Sequence, residues 1–159
     1  MKGQERMNKT SILVASLCAL TIGACAGVSK SGNPVVDALN ARLAKVSIEG
    51  YQAGRMTSQE EWNKMVTLAV PVVKELLPKV PAGYNLQVTG HTDGEGGINS
   101  AKNINLSTQR ALQVWLEMRR RGITDQKFTY KGVAGTIPSK KCGIKEACQR
   151  RVSFSVVPK

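Results

Sequence analysis

The stretch Val88–Ala111, VTGHTDGEGGINSAKNINLSTQRA, decides how this chain is read. Leading into it, Tyr84, Leu86 and Val88 alternate with Asn85, Gln87 and Thr89, the period-two pattern of a half-buried strand, which runs into Gly90. A polar loop from His91 to Asn103 follows, with glycine and asparagine positions that permit tight turns. Ser107 then reads as the cap of a helix whose apolar face is Ala111, Val114, Trp115 and Met118. Arg119, Arg120 and Arg121 crowd its last turn before Gly122, which suits the helix dipole. One loop joining a strand end to a helix start brings Thr92 and Asp93 near that start, the kind of crevice in which α/β proteins bind ligands. On this reading the unpaired amides from Asn105 to Thr108 face an anion and Arg110, in the first turn, adds a bidentate fork. Asp93 contributes the opposite charge, and an acid beside a fixed base suits a zwitterion carrying both an ammonium and a carboxylate.

Working outward, Asn33 and Pro34 mark a helix entry, and Val35, Val36, Leu39, Leu43 and Val46 recur at helical spacing. Val46 to Gln52 alternates weakly as a first strand, with a loop through Gly54. Ser58 and Glu61 form a capping box, and Trp62, Val66, Ala69, Val73, Leu76 and Val80 follow at steps of three and four, so a long helix is expected. Pro71 should kink or divide it, and Pro78, Pro81 and Gly83 should end it. Phe128 and Tyr130 alternate with Lys127, Thr129 and Lys131 as a further strand, and Val152, Phe154 and Val156 alternate with Arg151, Ser153 and Ser155 as the last. The sum is an α/β or α+β sandwich with helices on one sheet face.

At 159 residues, 42% of them hydrophobic, the chain has room for one ordinary domain plus a targeting segment. Lys2, Arg6 and Lys9 lead into a mostly apolar run from Ser11 to Gly23, a secretory signal pattern too short to span a bilayer. Met7 is an equally good signal start. The run closes with Ile22-Gly23-Ala24-Cys25, which resembles a bacterial lipobox and implies cleavage before Cys25 with acylation of its thiol and new amino group. Ala26 at the next position implies passage to the outer membrane. The expected organisation is a signal peptide over 1–24, a short tether over 25–32, and a folded domain over 33–159. Net charge is +12, and removal of residues 1–24, with three basic and one acidic residue, leaves +10, so an anionic partner or surface is suspected.

Gly90-His91-Thr92-Asp93, Asn103, Leu106-Ser107 with Arg110-Ala111, Gly122-Ile123, Gly132, Pro138 and Arg150-Arg151-Val152 together resemble the OmpA-like domain, found also in peptidoglycan-associated lipoproteins and flagellar stator proteins. The resemblance is strong over residues 84–157 and extends over 45–83 in layout only. It implies a βαβαβ-type mixed sheet with helices packed on one face. It also implies non-covalent binding of the peptidoglycan stem peptide, most members gripping diaminopimelate, in a protein that links the outer membrane to the cell wall. Carried over by position, Asp93 holds the ammonium and Arg110 the carboxylate, assisted by Thr92, Asn103, the amide ends around Leu106, and Arg150. The loop from Asp93 to Asn103 is about two residues longer than the usual family spacing, Gln149 stands where Asn is usual, and Ala134 where a second glycine is common.

The residues alone also allow blander roles, with Asp93 capping a turn and Arg110 pairing with Glu117. His91, the single histidine, suits a hydrogen-bonded structural role and cannot supply a zinc site alone. Cys142 and Cys148, in an exported chain, are expected to form a disulfide that shapes the loop before the last strand. No cofactor, metal or nucleic-acid partner is expected, and oligomeric state is not legible. Two rival classes stand beside wall binding: a hydrolase using His91, Asp93 and Ser107, and a basic adhesion module that binds anionic polymers or host matrix. Whether the domain faces the periplasm or the outside, and which diamine the stem peptide carries, are left open by the sequence.

Overall fold

The computed structural model describes residues 31–53 and 58–159. The lipobox cysteine Cys25, the signal segment and most of the tether lie outside the described residues, as does the end of the loop at Gly54. In chain order the elements are helix α1 (Pro34–Leu43), strand β1 (Ser47–Ile48), helix α2 (Gln59–Leu76) with a single 3-10 turn after it, strand β2 (Tyr84–Gly90), helix α3 (Ala101–Arg120), strand β3 (Phe128–Gly132) and strand β4 (Val152–Pro158).

The strands form one mixed sheet in the order β1-β4-β2-β3. β2 runs parallel to β3, with α3 as the crossover, and antiparallel to β4. Register explains the two faces. Leu86 lies opposite Val156 and Phe128, and Val88 opposite Phe154, all of them buried in one apolar core with the helices. The alternate residues Gln87, Thr89, Thr129, Ser153 and Ser155 share the other face and are polar. Fully burying a Leu, Val or Phe contributes roughly 1.5–3 kcal/mol, so the face with the apolar set is the one the helices cover.

Local signals explain most element ends. Asn33 caps α1 by accepting from the amides of Val35 and Val36. Ser58 caps α2 through the amide of Glu61 and also bonds the Glu61 carboxylate at 3.0 Å. Pro71 does not divide α2, contrary to the alternative read from the sequence. Pro71 and Thr67, whose carbonyl loses its helical partner, are both exposed, so solvent can take the bond the ring removes. β1 is shorter than the alternation from Val46 to Gln52 suggested, pairing with β4 only at Ser47 and Ile48. Farther along β4 the edge is taken by a side chain: Asn40 donates to the Val156 carbonyl at 3.2 Å and accepts from its amide at 2.6 Å.

The start of α3 differs most from expectation. Its cap is Ser100, which accepts from the amide of Asn103, and the ladder is already closed at Ile104, whose amide donates to the Ser100 carbonyl. Ser107 is therefore an interior residue, fully buried where α3 crosses the sheet. Its hydroxyl donates to the Ile104 carbonyl and accepts from the Ala134 amide at 3.0 Å. The crossing is close because Gly90 and Gly132, neighbours in the sheet, present no side chain. A Cβ at Gly90 would overlap the Ser107 carbonyl, and one at Gly132 would overlap Thr108.

Candidate functional site

Six residues singled out from the sequence, Thr92, Asp93, Asn103, Leu106, Arg110 and Arg150, line one cleft of about 320 Å³ at the carboxyl end of β2. Ala53, Glu95, Gly96, Ser100 and Lys102 complete its lining. Three stretches far apart in sequence build it: the segment after β1, the β2–α3 loop with the first turns of α3, and the approach to β4.

Two arginines tie these stretches together. Arg110 is fully buried, and its terminal nitrogens donate to the carbonyl of His91 at 2.9 Å and to that of Gln52 at 3.1 Å. Its guanidinium lies 4.7 Å from the centre of the Tyr51 ring. Arg150 donates through Nε to the Tyr51 carbonyl at 2.7 Å and through Nη1 to Asp93 Oδ2 at 2.9 Å. Burial pulls the Arg110 guanidinium down to about 10, with Tyr51 and Asp93 resisting and Arg150 adding to the pull, so it stays charged at neutral pH. Burial pushes the Tyr51 hydroxyl up to about 12, against the pull of Trp62 and Arg110.

These contacts correct three details of the sequence reading. Arg110 lies in the third turn of α3, not the first, and each terminal nitrogen already holds a backbone carbonyl, so it presents a fixed positive charge rather than a bare fork. The amides of Asn105 to Thr108 belong to the helical ladder, and Leu106 lines the cleft from the second turn. The helix start that does face the cleft is at Ser100 to Asn103, where the amides of Ala101 and Lys102 precede the first closed turn. Asn103 holds the loop, its amide nitrogen donating to the carbonyls of Glu95 and Gly97, both at 2.8 Å. The alternative pairing of Arg110 with Glu117 does not occur: Glu117 bridges Arg120 at 3.2 Å and Arg121 at 2.8 Å.

Thr92 is 3% exposed, and its hydroxyl has no hydrogen-bond partner among the described residues although the residue lines the cleft. A buried hydroxyl without a partner costs about 1–3 kcal/mol, which a polar ligand would offset. Among the described residues the cleft is lined by five charged side chains, three basic and two acidic. The arrangement can therefore bind a group with separated positive and negative ends, with a bias towards the anionic one.

The set His91, Asp93 and Ser107, weighed above for hydrolysis, is not linked by hydrogen bonds from His91 to Ser107. His91 is buried, with Nε2 2.8 Å from the Ser153 hydroxyl on β4, and Ser107 is held between Ile104 and Ala134. Among the described residues no group of three or more His, Cys, Asp or Glu could hold a metal ion, and no helix is long and apolar enough to cross a membrane.

Sequence reasoning missed Tyr51 and the rim residues Glu95, Ser100 and Lys102. Ser100 carried a usable signal, since a serine directly before Ala101 and three before Asn103 is a cap pattern. Tyr51 gave none, because its role is to place a ring face under Arg110. Cys142 and Cys148 form the expected disulfide, with their Cα atoms 6.4 Å apart.

No protein-family model and no curated protein sequence matches this chain. Solved structures do. The peptidoglycan-associated lipoprotein from Burkholderia pseudomallei superposes with a TM-score of 0.54 at 19% identity, over 77% of this chain and 99% of the other. The OmpA-like domain of FopA1 from Francisella tularensis gives 0.51 at 19% identity over 70% and 71%. The periplasmic domain of Helicobacter pylori MotB gives 0.53 at 14% identity over 70% and 71%. At these identities the likeness is one of architecture, and by element order, sheet topology and superposition the chain has the OmpA-like fold.

Proposed function

We propose that the cleft binds peptidoglycan without catalysing a reaction, gripping the zwitterionic end of the diaminopimelate in its stem peptide. Asp93, with Oδ2 tied to Arg150, takes the ammonium on its other oxygen. Arg110 and the first amides of α3 take the carboxylate, Thr92 adds its hydroxyl, and Leu106 lines the apolar side. Asn103 and Arg150 act by position, the first holding the loop and the second orienting Asp93. Each charge-assisted contact is worth about 1.5–3 kcal/mol, enough for reversible binding from two or three of them. In this reading Cys25 carries acyl chains in the outer membrane, and the domain links that membrane to the wall from a tether that reaches at most about 28 Å.

The single observation that carries the reading is the convergence of Thr92, Asp93, Arg110 and Arg150, from three separate stretches, on one cleft containing a buried hydroxyl without a partner. The name of the Burkholderia neighbour, a peptidoglycan-associated lipoprotein, supports it. The separation of His91 from Ser107 argues for a binding role over hydrolysis.

The test is retention on purified sacculi, at low and high salt, of the natural protein and of Asp93→Asn, Asp93→Ala and Arg110→Ala, with thermal melts confirming that each is folded. The natural protein should be retained at both salt concentrations and folded Asp93 variants should be lost. Equal retention of all would remove the proposed site. Retention that collapses with salt and ignores Asp93 would favour a basic adhesion module, and release of soluble wall fragments would favour a hydrolase.

A further inference from the structure

The wall of the cleft behind Asp93 lies outside the sheet and the α-helices, and its one regular piece is a 3-10 turn over Ala147–Gln149. It is backed by the loop from Ser139 to Gln149, and this loop contributes no residue to the apolar core. Its order comes from two sources. One is the Cys142–Cys148 disulfide. The other is the buried side chain of Gln149, which accepts from the Ser139 amide at 2.7 Å and donates to the carbonyls of Ser139, Cys142 and Gly143 at 3.1–3.2 Å.

The loop so held reaches Asp93 by two routes, through its neighbour Gly94 and through Arg150. The Ile144 carbonyl accepts from the Gly94 amide at 3.0 Å, and the Ile144 side chain packs so closely that a Cβ at Gly94 would lie 2.7 Å from Ile144 Cγ2. One residue beyond Gln149, Arg150 bridges Asp93. Ile144 is nonetheless 53% exposed, and it lies inside the ring closed by the disulfide.

We infer that the Cys142–Cys148 disulfide is a positioning element of the cleft: by closing the loop around Gln149 it holds the Ile144 carbonyl on Gly94 and the Arg150 guanidinium on Asp93, and so sets affinity for the ligand. The inference rests on the reading of the cleft as a ligand site. Preorganisation is the physical basis. A loop already in its bound arrangement loses little freedom on binding, whereas a loosened one must be ordered at the moment the ligand arrives.

The test compares the full natural chain with its Cys142→Ala/Cys148→Ala variant by two measurements. The first is amide hydrogen exchange in the ligand-free protein. Exchange at Gly94 should accelerate by about tenfold or more in the variant while Val88, in the middle of β2, is unchanged. The second is calorimetric titration with a soluble diaminopimelate stem peptide, in which affinity should fall about three- to tenfold. An unchanged Gly94 amide overturns the inference, as does a loosened Gly94 with affinity equal to that of the natural chain. Accelerated exchange at Val88 as well would mean that the whole fold is weakened, and overturns it too. Failure of the natural protein to bind the peptide would instead overturn the ligand reading, and the affinity half of the inference with it.

Discussion

His91 sits at the end of β2, 2% exposed, with its Nε2 on the Ser153 hydroxyl. Burial, helped by the charge of Arg151, pulls its imidazole down to about 3 from the usual 6.5. In the unfolded chain the same ring binds a proton below about 6.5, so between these values the unfolded state holds more protons and stability falls as pH falls. Stability should be full above about pH 7 and should drop by about 2 kcal/mol by pH 5, a range above that in which ordinary carboxylates titrate. Urea unfolding at both pH values should show this loss in the natural protein and a flatter response in His91→Gln; identical responses would refute a neutral buried histidine. Asp93 and Arg110 stand out in the sequence as opposite charges flanking one strand-loop-helix unit, and the structure brings both to the lining of one cleft. Ala134 stands where the resemblance makes glycine common, and its φ of 49° explains that preference, since the left-handed region costs a residue with a Cβ roughly 1–2 kcal/mol. Tyr51 and the partnership of Asp93 with Arg150 depend on contacts across 57 or more positions, which no local pattern records.

Among the elements, α3 and the two glycines beneath it fix the geometry of the cleft. The helix crosses the sheet on Gly90 and Gly132, and that close approach brings Arg110 down beside the carbonyls of His91 and Gln52. Gly90→Ala must push Ser107 and its turn away, and should cost at least about 2 kcal/mol. A denaturation midpoint equal to that of the natural protein would show that the crossing is loose. The apolar stripe predicts the helix, but its first turns pass for loop because the polar run from His91 reaches Asn103 and Ser107 looks like a cap. Ser107 is instead a small residue required at a close crossing, with a hydroxyl that bonds inside the packed layer. β1 is shorter than its alternation for a different reason: the pattern runs from Val46 to Gln52, but Gly50 takes a φ of 79° and Tyr51 lies under the Arg110 guanidinium, so pairing stops at Ile48.

Across the whole molecule, one sheet face carries the core and the other is polar, and the cleft opens at the end of β2, where the segment after β1, the start of α3 and the disulfide loop meet. The layered architecture was readable because both periodicities were strong and spaced. The strand order was not, since antiparallel pairing of β4 between β1 and β2 is set by contacts up to 106 residues apart. The +10 charge without residues 1–24 favours attraction to an anionic surface but does not select a ligand; in the proposed function selection falls to Asp93 and Arg110. The most direct test is calorimetric titration of the natural protein with two soluble stem peptides, one carrying diaminopimelate and the other norleucine at the same position, at high salt. Loss of both charged ends should weaken binding by at least about tenfold, since each contact is worth about 1.5–3 kcal/mol; equal affinity for the two peptides would contradict the account.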